Sequence, residues 1–140
     1  MTQQPMTDDW VHTLFDKIYR AYNEHDAAAT IDCYAEELET LVNGEPGPSA
    51  RAAFIEALQE QWLGFPDVTA SETFRHVSGD LVVTEMIIDG RNTAPFLDRP
   101  ASGKVWHVSL AWLCRVRDGR VSQLRVYVDN SALQRAVAPR

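Results

Sequence analysis

GKVWHVSLAWLCRVRDGRVSQLRVYVD, residues 103–129, is the stretch whose reading decides the fold. Two runs of alternating apolar residues flank Asp118-Gly119, a pair that tolerates the positive φ of a type I′ turn, so the stretch predicts a β-hairpin. Counting back from the turn pairs Val116 with Val121, Cys114 with Gln123, Trp112 with Arg125, Leu110 with Tyr127 and Val108 with Asp129. Side chains alternate across a strand, so these pairs share one face. That face carries Trp106, Trp112, Tyr127, Arg125 and a terminal Asp129 around Val108 and Leu110, an aromatic wall with few polar groups of the kind a small-molecule pocket needs. The opposite face, with Ser109, Ala111, Leu113, Leu124, Val126 and Val128, is small and aliphatic and suits packing on another layer or another subunit. The same pattern also fits a two-sided core strand pair in which Asp129 only caps the next helix.

Outward from the hairpin, the chain divides into helices followed by strands. Residues 1–6 (MTQQPM) read as a loose tail, and residues 7–140 as one domain. Trp10, Leu14, Ile18, Ala21 and Tyr22 recur at helical spacing over residues 7–23, with Thr7 or Asp8 as N-cap. Asp26 can cap a second short helix over residues 27–34. Leu38, Thr40 and Val42 alternate in a short strand that runs into a Gly/Pro loop at residues 44–48. Ser49 starts a third helix, containing Phe54, Ile55, Leu58 and Trp62, that stops near Gly64 and Pro66. Strands follow over residues 68–77 and 81–91 around a Ser78-Gly79-Asp80 turn. A connection over residues 92–103 then leads to the hairpin, and residues 130–137 close the chain as a short helix. Helices followed by a mostly antiparallel sheet make the fold class α+β.

A formal net charge of −7 argues against nucleic acid as partner, because that needs a basic footprint. The arginines at 115, 117, 120 and 125 are interleaved with apolar residues and form no stripe. Cys33 and Cys114 have no metal-ligand spacing and read as small buried thiols. His12, His25 and His76 share no spacing that suggests a metal. The first nine residues are polar, without the apolar stretch of a signal peptide, and no apolar run approaches the ~20 residues of a membrane span. The expected setting is a reduced cytoplasm, with no membrane partner.

Certain residues in this order carry a family likeness. They are Tyr22-Asn23-Glu24-His25-Asp26, Cys33-Tyr34-Ala35-Glu36-Glu37, Gly64-Phe65-Pro66-Asp67-Val68, Thr93-Ala94-Pro95-Phe96, Ser102-Gly103-Lys104, and the run from Cys114 through Val121 to Tyr127-Val128-Asp129. In this succession the chain resembles the SnoaL-like polyketide cyclases of the nuclear transport factor 2-like superfamily. The resemblance implies a cone: a curved mixed or antiparallel sheet wrapped around a long N-terminal helix, enclosing an apolar pocket, with a homodimer formed through the outer sheet face. It turns the Trp106/Trp112/Tyr127/Asp129 side inward and points Met86 and Ile88 of the preceding strand into the cone.

The resemblance further implies a cofactor-independent reaction on a small apolar carbonyl compound, either aldol cyclisation or isomerisation. Asp129 would take an α-proton from an activated dicarbonyl, its basicity raised by poor solvation beside Trp106 and Val108. Asn43 would donate to the developing enolate oxygen, or else serve as a turn residue before Gly44. Arg125 would stack on Trp112 or bind a carboxylate, or else stand exposed at the rim. Tyr19 and Tyr127 are candidate hydroxyl donors, and Trp62 and Leu110 complete the expected substrate wall. His107 falls on the other face from Asp129 and reads as structural or interfacial.

Departures from the enzymatic relatives are equally informative. The positions of the epoxide hydrolases' arginine and second acid fall on Met86 and Ile88. Those of the ketosteroid isomerases' acids fall near Val42 and Trp112, and that of the cyclases' acid/base histidine falls near Arg115. Only Asp129 remains as an acid in this pocket. A non-catalytic binding domain for a hydrophobic ligand is therefore the main competing reading. Epoxide hydrolysis and a protein–protein scaffold are weaker ones.

Overall fold

A computed structural model describes residues 4–139 of the 140-residue chain, with side chains from residue 9 onward. Helix α1 (Gln4–Asn23) buries Val11, Leu14, Phe15, Ile18 and Tyr22 along one stripe at three- and four-residue spacing. It begins before the expected start, so residues 4–6 are helical rather than a tail, and Thr7 and Asp8 lie inside the helix rather than capping it. Pro5 falls in the first turn, where its missing N–H costs no helical bond. Residues 1–3 of the expected tail lie outside the described residues. Helix α2 (Ala27–Ile31) is capped by Asp26, whose carboxylate accepts from the Ala29 N–H at 3.0 Å. It is shorter than predicted because strand β1 (Tyr34–Val42) already begins at Tyr34, which is buried in the core and takes up the extended backbone.

Strands β1, β2 (Glu45–Pro46), β3 (Thr69–Ser78), β4 (Leu81–Arg91), β5 (Val105–Arg117) and β6 (Arg120–Val128) form one curved, unclosed sheet in the order β2-β1-β6-β5-β4-β3. All neighbours are antiparallel except β1 and β6, which run parallel. The short β2, read from sequence as loop, is turned back onto β1 by Asn43 and Gly44, both at positive φ (52° and 84°). Helix α3 (Ala50–Gly64) and α1 contribute buried side chains to the same core as the sheet, and α4 (Asn130–Val137) packs on β5.

The hairpin forms where predicted, with Asp118 and Gly119 at φ 55° and 81°. Its register departs from simple counting. Val116 pairs with Val121, but Arg115 pairs with Gln123, so Ser122 is an extra residue in a β-bulge. Beyond it Cys114 faces Leu124, Trp112 faces Val126 and Leu110 faces Val128. Inward and outward residues of β6 exchange places: Leu124, Val126 and Val128 turn inward, while Arg125 and Tyr127 stand on the outer face opposite Leu113 and Ala111. The physical reason is burial, since without the bulge Arg125 would face an apolar interior with no counter-charge.

The connection between β4 and β5 is built on Asn92, which is fully buried. Its amide donates to the carbonyls of Gly64 and Ala94, both at 2.9 Å, and its oxygen accepts from the Ser102 N–H at 2.8 Å. Ser102 in turn donates through its hydroxyl to the Ala136 carbonyl of α4. One side chain thus ties the end of α3, the connection and, through Ser102, the closing helix. At Gly64 a Cβ would fall 2.6 Å from Phe96, so this helix end must be glycine for the connection to close over it.

Candidate functional site

The concave side of the sheet and the helices enclose an apolar cavity of about 230 Å³. Strands β4 and β5 line it with Met86, Ile88, Trp106, Leu110 and Trp112, and β6 adds Val126 and Val128. Helix α1 contributes Ile18, Tyr19 and Tyr22, and α3 contributes Phe54, Leu58 and Gln61. Aromatic edges hold the wall in place: Phe54 meets Tyr34 at 4.9 Å and Trp112 at 6.4 Å, and Trp106 packs on Phe65 at 5.2 Å. An apolar void of about 150 Å³ takes a benzene ring, so this one suits a compact, one- or two-ring molecule.

Of the residues expected at the site, Tyr19, Met86, Ile88, Trp106, Leu110, Trp112 and Asp129 line the cavity. Val42 and Trp112, at the isomerase acid positions, also line it, and neither can titrate there. Val108 is buried in the core but is not part of the cavity wall. Trp62 lies outside it too, stacked on His25 with ring centroids 5.3 Å apart. Arg125 and Tyr127 are excluded by the bulge and face outward, Tyr127 being 42% exposed. His107 is outward as expected, with Nδ1 2.8 Å from Asp89 Oδ1 on the exposed face.

The two residues expected to act chemically are held differently from the expectation. Asn43 takes up the turn alternative. Its Nδ2 donates to the Val128 carbonyl at 2.9 Å and its Oδ1 accepts from the Val128 N–H at 3.0 Å, so its amide extends the β1–β6 pairing and is not free for an enolate. Asp129 follows the last paired residue of β6 and is the N-cap of α4. Its Oδ1 accepts from the Ser131 N–H (3.0 Å) and hydroxyl (2.6 Å), and Oδ2 lies 4.0 Å from Arg135. The Ser131 hydroxyl and N–H, with Arg135 nearby, hold its carboxyl below the usual range. The sequence expectation of a desolvated, more basic Asp129 is therefore reversed, because the bulge displaces it from beside Trp106 to the open end of the cavity. It is nevertheless the one carboxylate among the described residues lining that cavity.

Sequence reading missed a polar chain behind the wall. The Tyr19 hydroxyl lies 2.5 Å from Thr84 Oγ1, and Thr84 donates to Glu72 Oε2 at 2.7 Å. Arg75 grips both Glu72 oxygens at 2.8 Å and reaches Asp16 at 2.9 Å. Burial works against the Arg75 charge, but its bonds to Glu72 and Asp16 prevail and raise its pKa. Tyr22 likewise donates to Gln61 Oε1 at 2.7 Å. Burial raises the pKa of Tyr19, Tyr22 and Tyr34, keeping the phenols protonated. The signal for the chain was Glu72-Thr73-Phe74-Arg75, where opposite charges three apart in a strand share a face only across a second bulge, at Glu72/Phe74. Trp106 carries a buried indole N–H with no hydrogen-bond partner.

Among the described residues no group of three or more His, Cys, Asp or Glu is placed to hold a metal ion, and no helix is long and apolar enough to cross a membrane. Both cysteines are buried and free. Burial pushes the Cys33 thiol up to about 11 and raises Cys114 further.

The sequence profile of the SnoaL-like polyketide cyclases matches residues 12–137. The chain belongs to the SnoaL-like polyketide cyclase family. Solved structures of this SnoaL-like chain's relatives agree. TsrD from Streptomyces laurentii is 26% identical, with a TM-score of 0.79 over 93% of this chain and 96% of that one. IdmH from Streptomyces antibioticus, a candidate polyketide cyclase, is 25% identical, with a TM-score of 0.76 over 89% and 96%. A protein from Catenulispora acidiphila described as having a ketosteroid isomerase-like fold superposes with a TM-score of 0.73 at 14% identity, over 91% and 93%, a likeness of fold alone. No curated protein sequence gives a significant match. The SnoaL-like chain thus has the nuclear transport factor 2-like fold its sequence implied.

Proposed function

We propose that this chain is a cofactor-independent enzyme that removes an α-proton from a small, largely apolar 1,3-dicarbonyl compound, leading to cyclisation or isomerisation. The observation that carries the reading is an apolar cavity whose lining, among the described residues, holds a single carboxylate, Asp129, at its open end. The chemistry then narrows the substrate. A carboxyl held below its usual range is ionised at neutral pH but is a weak base. It can take only an acidic C–H, such as one flanked by two carbonyls. The hydrocarbon part of such a molecule would fill the cavity.

A second reading, a ligand-binding domain without turnover, draws on the engagement of both polar candidates. Asn43 is committed to Val128, and one Asp129 oxygen to Ser131. Mass spectrometry of small molecules that copurify with the protein separates the two. An enzyme is expected to yield a dicarbonyl with Asp129→Asn and its ring-closed or isomerised product with wild type. A binder is expected to yield the same compound from both. A copurifying compound with no carbonyl would refute the proposed substrate class.

The homodimer belongs to the same proposal. Tyr127, Ala111, Glu85 and Phe74 form one row across the outer sheet face, and Phe74 is 50% exposed. Exposed aromatic rings at both ends of this row, Phe74 and Tyr127, favour a second copy as its cover.

A further inference from the structure

We propose that Tyr19 acts toward the ligand as a hydrogen-bond acceptor, so that the cavity selects an apolar compound bearing a hydroxyl or enol group. The inference rests on reading the cavity as a ligand site, and deepens it by assigning a required donor on the ligand.

The argument is one of proton counting. Glu72, gripped at both oxygens by Arg75, is a carboxylate and can only accept. Thr84 has one hydroxyl proton, and its 2.7 Å bond to Glu72 Oε2 uses it. The 2.5 Å contact between Tyr19 and Thr84 must then carry the phenol's own proton, donated from Tyr19 to the remaining Thr84 lone pair. Tyr19 lines the cavity with its proton committed behind the wall and its oxygen lone pairs left over. Tyr22 repeats the pattern by giving its proton to Gln61. Thr84 is fully buried, so water does not compete for these positions from the Thr84 side. The expectation that Tyr19 donates to the ligand is reversed: a hydroxyl or enol satisfies it, whereas an ether or ketone oxygen placed there would face lone pair against lone pair. The keto form of a 1,3-dicarbonyl, from which Asp129 would take the α-proton, carries no such donor, so for the proposed reaction the donor is a separate hydroxyl on the substrate.

The test uses two probes of one shape, 2-naphthol and 2-methoxynaphthalene, titrated calorimetrically into the full chain. Wild type is expected to prefer the naphthol by about fivefold, the worth of one neutral hydrogen bond. In Tyr19→Phe the preference should fall to about one through weaker naphthol binding. In Thr84→Val the Tyr19 proton is released, and the preference should fall to about one through tighter binding of the ether. A merely structural role for Thr84 would weaken both probes together. Equal affinity for the two probes in wild type, or a preference that survives in Tyr19→Phe and so reflects size, overturns the proposal while leaving the cavity a ligand site. Failure of both probes to bind wild type overturns the proposal and the ligand-site reading together. If Thr84→Val does not fold, the Tyr19→Phe arm decides alone.

Discussion

Asn92 is the place where a single substitution should most weaken this fold, and the size of the effect can be worked from its contacts. Asn92→Ala removes three side-chain hydrogen bonds, to the Gly64 and Ala94 carbonyls and from the Ser102 N–H, in a fully buried setting. At about 1 kcal/mol each, with some partners left unpaired away from water, the loss comes to about 3 kcal/mol. For a domain of this size that corresponds to a melting point lower by roughly 10 °C. Asn92→Asp sharpens the test. It is nearly isosteric and retains the acceptor for Ser102, but turns a carboxylate oxygen toward two carbonyls, so it should cost at least as much as alanine. Urea unfolding followed by tryptophan fluorescence gives both values. Because Ser102 continues the tie to α4, whose Asn130 and Leu133 line the cavity, Asn92→Ala should also speed amide exchange in α4. A loss below about 1 kcal/mol for both variants would refute the reasoning.

Other perturbations address the register, the outer face and the cap. Deleting Ser122 should destabilise the chain by at least about 3 kcal/mol, since either Arg125 is driven inward or the Asp118-Gly119 turn is broken, while Ser122→Ala should stay within about 1 kcal/mol of wild type in urea melts; equal stability of the deletion would contradict the bulge. Leu113→Glu, on the outer face, should convert a homodimer into a folded monomer by light scattering, and a variant as dimeric as wild type would rule this face out as the interface. The folded pKa of Asp129 lies below its unfolded value, so the stability it contributes is present above the unfolded pKa and is lost as pH falls through the folded one. Asp129→Asn keeps a capping oxygen without the charge and should flatten the acid side of the melting profile as pH falls below the ordinary carboxylate range; superimposable acid profiles would contradict the assignment.

Much of the fold was legible because local signals agreed with tertiary ones. Asp118-Gly119 fixed the hairpin turn, the Ser78-Gly79-Asp80 turn marked the start of β4, and Asp26 announced the start of α2 as its cap. Alternation put Trp106, Leu110 and Trp112 on one face of β5, and the family resemblance turned that face and Met86 and Ile88 of β4 inward; all five line the cavity. The failures on β6 share one cause, a single extra residue. Val121 and Leu124 stand three apart and Leu124, Val126 and Val128 two apart, so the apolar phase visibly slips at Ser122. Strict counting from the turn carried Arg125 and Tyr127 to the wrong face and Asp129 too deep. The relay behind Tyr19 was hidden for a related reason, because the β3 bulge decides which of Glu72 and Arg75 can meet Thr84. Asn43 was ambiguous by residue type, since an amide beside Gly44 serves a turn or a substrate equally well until its partner is known.

The central claim, that Asp129 takes an acidic α-proton from a carbonyl compound held in the cavity, is tested most directly by hydrogen–deuterium exchange at the α-carbon of ethyl benzoylacetate in heavy water, followed by NMR. Wild type should accelerate the exchange above the buffer rate, and Asp129→Asn should bind the ester equally well without accelerating it. A wild-type protein that binds the ester yet leaves its exchange at the buffer rate, or an Asp129→Asn variant as fast as wild type, would contradict the account.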